Sequence, residues 1–247
     1  MMEAYAEETV EQAPARRLLV INPNTNPAVT QAIRDAAARV VHDTTAVTVV
    51  NPATGPFSIE TAAHRDMAVP RVISLVSQNL SAGYDAYVLG CFDDIGLFEA
   101  RTLAKVPVVG TCEAGIAAAR TIARRFSIIT TVHSAVPGIH DLLERYGAAG
   151  ICTVRAAGVG VAAAADANGA AAQHILAAIR DAIEQDGAEA ILLGSGGLAG
   201  QAPRLRQTVP VPIIDGIQAA VKMAEGFAAL SRDSRTARRR QPISLNI

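Results

Sequence analysis

The 247-residue chain has no tryptophan, and its few tyrosines and phenylalanines bring aromatic content to only 4%. That scarcity argues against an aromatic sugar platform or a base-stacking surface, both of which need exposed rings. An excess of one charge is also missing, since 22 lysines and arginines stand against 23 aspartates and glutamates for a net −1. Without a basic excess nothing points to a nucleic-acid partner. The arginine-rich SRDSRTARRR at 231–240 reads as part of a solvated C-terminal tail, 231–247. No apolar run reaches the roughly 18 residues that a membrane-spanning helix needs, so no membrane partner is expected. The opening MMEAYAEETVEQAPARR is acidic where a secretory signal is basic and then apolar, and residues 1–16 read as a flexible arm. Three cysteines form an odd set without a disulfide framework. The five histidines fall in no H-E-x-x-H pattern, and no C-x-x-C occurs, so no metal is expected. These absences together describe a cytoplasmic globular protein.

What is present is a chain that is 50% hydrophobic, enough for a substantial core. From Arg17 onward, short apolar runs alternate with alanine-rich helical stretches, the pattern of parallel sheets covered by helices. Strands are predicted at 17–22, 45–50, 86–90, 106–110, 125–130, 149–154, 189–194 and 211–215, with helices at 27–40, 168–185 and 216–230. The strands recur at nearly constant spacing. The first and fifth start 108 residues apart, Cys91 and Ser195 stand 104 apart, and VPVVG and VPIID stand 105 apart. VLGC also matches LLGS. This spacing predicts a duplication: two pseudo-symmetric α/β halves, each a parallel sheet between helical layers, with a site in the cleft between them. The expected halves are 17–111 with 216–230, and 112–215, the last helix packing back on the first half. Open parallel sheets bind ligands beyond the carboxyl ends of their strands. Cys91 and Ser195 each follow such an end, so they should approach one ligand from opposite sides.

The loops after those strands hold the candidate chemistry. In NPNTNP (22–27), Asn24, Thr25 or Asn26 can cap the helix that Pro27 opens, or Asn24 can present its amide to the cleft. GCFDD and GSGG leave backbone N–H groups able to hold an anion or a developing oxyanion. GSGGLAG is not a dinucleotide fingerprint, because it follows a late strand and has no ribose-binding acid at the usual distance. Cys91 by itself reads as core filling or as a reactive thiol; its pairing with Ser195 favours the thiol. Lowering a thiol pKa from near 8.5 to neutrality takes about 2 kcal/mol. Asp93 and Asp94 oppose that unless one of them caps a helix. Cys112 reads equally as a cleft thiol or a buried helix residue, and Cys152 as core. A thiol facing a matched group across a ligand suggests proton transfer at a carbon acid beside a carbonyl, with cleft amides stabilising the enolate. Ser195 is a far weaker acid, has no histidine or lysine beside it, and lies in no G-x-S-x-G elbow.

The stretches LLVINPNTNP, GPFSIET, VLGCFDDIGLFEAR, VPVVGTCEAG, FSIITTVHSAVP and LLGSGGLAG resemble, in that order, the Asp/Glu/hydantoin racemase superfamily, and most closely its hydantoin and allantoin racemase branch. The resemblance implies a cofactor-independent isomerase acting on a small carbon acid, with a hydantoin-like ring favoured because neither Cys91 nor Ser195 is followed by threonine and histidine. It implies that Cys91 is one of two proton-exchanging residues and that Ser195 occupies the place of a second cysteine. Asn24, Thr130 and Thr131 would hold the substrate, and the amides of Phe92, Gly196 and Gly197 would receive its carbonyl oxygens. Ser58 is a candidate for the pocket of the ring substituent, with Glu60 and His133 as further polar groups there. Ser195 then reads as an inactivating cysteine-to-serine change. The alternatives are a natural one-thiol isomerase, an arylmalonate-type decarboxylase, or a binding protein without catalysis. The alanine-rich surface suggests a homo-oligomer.

Overall fold

A computed structural model describes residues 16–166 and 169–240. Strands and helices alternate, except that two helices follow the sixth strand. The first run is β1 (Arg16–Ile21), α1 (Pro27–Ala38), β2 (Thr45–Val50), α2 (Ala62–Asn79), β3 (Ala86–Leu89), α3 (Leu97–Leu103), β4 (Val108–Gly110) and α4 (Thr111–Ile122). The second begins with β5 (Phe126–Thr130), α5 (Val136–Arg145), β6 (Cys152–Ala156), α6 (Val161–Ala164) and α7 (Ala171–Asp186). It ends with β7 (Ala190–Leu193), α8 (Ala202–Leu205), β8 (Ile213–Asp215) and α9 (Gly216–Arg240). The strands form two parallel sheets of four, ordered β2-β1-β3-β4 and β6-β5-β7-β8.

The sequence repeat is repeated in the backbone. Gly90 N–H donates to the Ile21 carbonyl and Gly194 N–H to that of Ile129, both at 2.8 Å. Tyr87 N–H donates to Pro107 and Ile191 N–H to Pro212, both at 2.9 Å. The prolines explain why β4 and β8 start at 108 and 213 rather than at the expected 106 and 211: each offers a carbonyl but no N–H, so pairing begins after it. β6 starts at Cys152 rather than 149, because Ile151 N–H closes a turn onto Ala148. The final helix continues past the expected 230 to Arg240, so the first part of the expected tail is helical. Residues 1–15 of the expected arm and 241–247 of the tail lie outside the described residues, and Arg16 already belongs to β1.

Apart from the edge strands β2 and β6, which are mostly half-buried, each sheet is buried on both faces, as the near-continuous apolar runs require. In β1, Leu18 and Val20 pack with Val29 and Ile33 of α1, whereas Leu19 and Ile21 pack with Val72 and Val76 of α2. A slip of one residue would exchange the two faces. Two helices cross between the halves. α4 follows β4, but its Ile116 and Ala119 pack with Phe126, Ile128 and Leu192 of the second sheet. α9 follows β8, but its Ala220, Val221 and Ala224 pack with Val20 and Val88 of the first. Gly115 permits the close seat of α4, since a Cβ there would stand 2.7 Å from Leu192 Cδ1. Among the described residues, no helix is long and apolar enough to cross a membrane.

Candidate active site

In both sheets the chain leaves the first central strand to one side and returns to the other, which opens a crevice at the strand ends. The crevice of the first sheet lies between the loops that follow β1 and β3, and that of the second between the loops that follow β5 and β7. The two crevices share a cavity of about 30 Å³, bordered by Asn24, Cys91 and Phe92 from one half and Thr130, Thr131, Ser195 and Gly196 from the other. Ile59, Asp93, Val132, Ala135 and Val161 complete most of its wall. The halves come close here: a Cβ on Gly196 would stand 3.9 Å from the Gly90 carbonyl oxygen.

Two of the expected substrate contacts are not brought to this wall. The Ser58 hydroxyl donates to Glu60 Oε1 at 3.0 Å, and the Gly197 N–H donates to Ser195 Oγ at 3.3 Å. Glu60 and His133 are likewise not on the wall. Cys112 is fully buried in the core beneath the second sheet, and Cys152 is buried in the same core. Buried among apolar neighbours, the Cys152 thiol is pushed up to about 12.

The asparagine loop divides its roles. Asn26 caps α1, its Oδ1 accepting the Ala28 N–H at 2.9 Å. Asn24 Oδ1 accepts from Asn22 Nδ2 at 3.0 Å and from the Asn26 N–H at 2.9 Å. With its oxygen so occupied, Asn24, which borders the cavity, has its amino group left as the donor it can offer a ligand.

Cys91 is half-buried in a setting that favours the neutral thiol. Burial and the charges of Asp93 and Asp94 raise its pKa; the Asp93 amide and the Arg65 guanidinium counter only part of that. Ser195 has the opposite surroundings. Its Oγ accepts from Thr131 Oγ1 at 3.2 Å and from the Gly197 N–H at 3.3 Å, which occupies both lone pairs. The hydroxyl can therefore donate a proton into the cavity but is poorly placed to accept one. The same two donors would favour an anion at this position.

Asp94, three residues after Cys91, serves as the helix cap that the sequence allowed, on α4 rather than on the next helix. Its carboxylate accepts the N–H groups of Cys112 at 2.9 Å and Glu113 at 3.0 Å, and the Tyr146 hydroxyl at 2.8 Å. Gly110 leaves the necessary room, because a Cβ there would stand 2.5 Å from this carboxylate. Asp94 also takes φ 47°, which is uncommon for a residue with a Cβ. Tyr146, at the C-terminal end of α5, could not be foreseen: nothing local marks a tyrosine 52 residues away as its partner.

Burial raises the Asp94 pKa to about 7, and the hydrogen bonds from Tyr146 and the two amides offset part of that rise. A folded-state pKa above the ordinary carboxylate value means that the native protein keeps a proton which the unfolded chain releases. This contribution to stability is therefore complete below about pH 4 and is lost as pH rises toward 7. At about 1.4 kcal/mol per unit, it amounts to a few kcal/mol. Asp94→Asn should flatten this slope, read from urea midpoints between pH 4 and 7. It should also lower stability throughout, because an amide nitrogen cannot accept from the α4 N–H groups. An unchanged slope would assign the effect to another group.

Among the described residues, no cluster of three or more histidines, cysteines or carboxylates could hold a metal ion. The family model for Asp/Glu/Hydantoin racemase matches residues 18–224. Hydantoin racemase of Rhizobium meliloti is 44% identical over 209 residues, 84% of this chain and 87% of that protein. Hydantoin racemase of Paenarthrobacter aurescens is 36% identical over 216 residues, 87% and 92% of the two chains. The structure of allantoin racemase from Klebsiella pneumoniae superposes with a TM-score of 0.85 at 38% identity, covering 88% of this chain and 89% of that one. The duplicated strands, the shared cavity and these relatives agree, and the chain belongs to the Asp/Glu/hydantoin racemase family.

Proposed function

We propose that the protein is a cofactor-independent racemase that moves a proton at the acidic carbon of a hydantoin-like ring, a 5-substituted hydantoin or allantoin. The observation that carries this reading is the placing of Cys91 and Ser195 on one cavity at matched strand ends. A ring seated between them would expose one face of its α-carbon to the thiol and the other to the hydroxyl. The Asn24 amino group and the amides of Phe92 and Gly196 would hold the carbonyl oxygens and stabilise the enolate. Thr130 and Thr131 would contact the ring from the second half. Ser195 makes turnover slow, because an alcohol that gives up its proton becomes a strongly basic alkoxide.

The test is deuterium exchange. Incubated in deuterated buffer with each enantiomer of a 5-substituted hydantoin, the protein should exchange the α-proton of one enantiomer faster than the spontaneous rate. The enzymatic rate should rise about tenfold per pH unit through neutrality, because the reacting thiolate is the minor form of a thiol with a raised pKa. Binding without exchange would mean a small-molecule binding protein, and carbon dioxide released from an arylmalonate would mean a decarboxylase.

We place the protein in the cytoplasm, which its three free cysteines suit. We also propose a homo-oligomer. Two apolar grooves occupy matching places in the halves, one beside Arg101, Pro107 and Phe227 and the other beside Arg206, Pro212 and Ile122. Phe227 is 45% exposed and Ile122 53%. A second copy would cover them, and a monomeric mass by light scattering at micromolar concentration would remove the proposal.

A further inference from the structure

The cavity presents a problem of access. At about 30 Å³ it has room for little more than a water molecule, whereas the proposed substrate is a ring with two carbonyl groups. The cleft must therefore widen to admit such a ring, and the contacts that bridge its two sides can be identified. The loop between β2 and α2 belongs to the first half but reaches across to the second. Ile59 in this loop and Val161 at the start of α6 are both part of the cavity wall.

The next residue fastens the loop. Glu60 Oε1 accepts the Val161 N–H at 3.0 Å, across 101 positions of sequence. That N–H belongs to the first turn of α6, where Gly160 is the N-cap and provides no side chain. The helix thus receives its cap from the opposite half. Ser58 Oγ donates to the same Glu60 oxygen at 3.0 Å and orients it. The Glu60 carbonyl accepts from Ser134 Oγ, and Arg65 Nη2 reaches the Ser134 carbonyl at 3.4 Å. Arg65 also stands 3.8 Å from Asp93, on the loop of Cys91.

The held segment is connected to the reacting groups. Val159 N–H donates to the Thr131 carbonyl at 3.0 Å and Ala157 N–H to that of Thr130 at 2.9 Å. Thr131 in turn donates to Ser195. The strand end that leads to Val161 is thus linked to Ser195, through these backbone hydrogen bonds and the Thr131 hydroxyl.

We infer that Glu60 is a positioning residue, a latch across the cleft that must release Val161 to admit substrate and must re-form to press Ile59 and Val161 against the ring substituent. Sequence reasoning placed Ser58 and Glu60 against that substituent; the geometry gives them the task of closing its pocket. The inference rests on the racemase reading for what is admitted, but not for the latch itself.

The test combines two readouts. Hydrogen exchange at the Val161 amide should speed up about tenfold in Glu60→Ala, the scale set by losing one hydrogen bond. Glu60→Gln retains an acceptor oxygen and should keep most of the protection. For activity, exchange of the α-proton is compared for 5-methyl and 5-benzyl hydantoin. Glu60→Ala should lower kcat several-fold, raise KM for the methyl compound, and reduce the preference between the two at least fivefold; Glu60→Gln should behave nearly as the parent. Unchanged Val161 protection in Glu60→Ala would overturn the latch. So would a Glu60→Gln variant as impaired as Glu60→Ala, which would give the carboxylate charge a chemical role. Altered protection with no α-proton exchange in any variant would uphold the latch and count against the racemase reading alone.

Discussion

Ser195→Cys should increase racemisation of a 5-substituted hydantoin by about 10²–10⁴-fold, the usual worth of a well-placed acid or base. The gain comes from surroundings already built for it. Thr131 and the Gly197 N–H aim two donors at the 195 side-chain atom, and a thiolate there would receive both. Cys91 is held on the neutral side by burial and by two carboxylates. In the variant, residue 195 would start as base and Cys91 as acid, so that inversion begins with each group in the state its environment favours. Polarimetry of each enantiomer measures the rate. No gain over a panel of methyl, isopropyl and benzyl substituents, in a variant that remains folded, would mean that the cleft does not act on this ring.

Cys91→Ala should reduce α-proton exchange to the spontaneous rate, a loss of about 10²-fold or more on the same scale. The stronger test is the combination with Ser195→Cys. That double variant has its one cleft thiol on the opposite face of the ring. Exchange should return, but in the other enantiomer, since only the face of the ring presented to a thiol can lose its proton. Proton NMR of separated enantiomers in deuterated buffer distinguishes the outcomes. If the enantiomer preference stayed the same when the thiol changed sides, residues 91 and 195 would not flank the reacting carbon.

Much of this arrangement was legible because duplication leaves a measurable trace. The nearly constant offset linking Cys91 to Ser195, and VPVVG to VPIID, predicted the paired sheets and two facing loops before any contact was known. Asn24 was legible for a related reason: it follows a central strand, where the fold opens its crevice. Side-chain partnerships were less accessible. Ser58 was read as a candidate for the pocket of the ring substituent; its hydroxyl donates to Glu60, whose own partner lies in the opposite half. The Asp94–Tyr146 contact also joins separate halves, and Asp94 fits only because Gly110 has no side chain. Periodicity describes which face of an element is apolar. It contains no information on which polar groups meet across a cleft.

The exchange of α4 and α9 between the two sheets has a consequence for how the molecule is assembled. A nascent chain that has emerged only as far as β4 still lacks the helix that must cover one face of its first sheet, and that helix is the last described element to be synthesised. A self-sufficient half thus cannot be recovered by cutting between the repeats. Either fragment would present a bare apolar sheet face, and the native protein should melt in a single cooperative transition despite having two sheets.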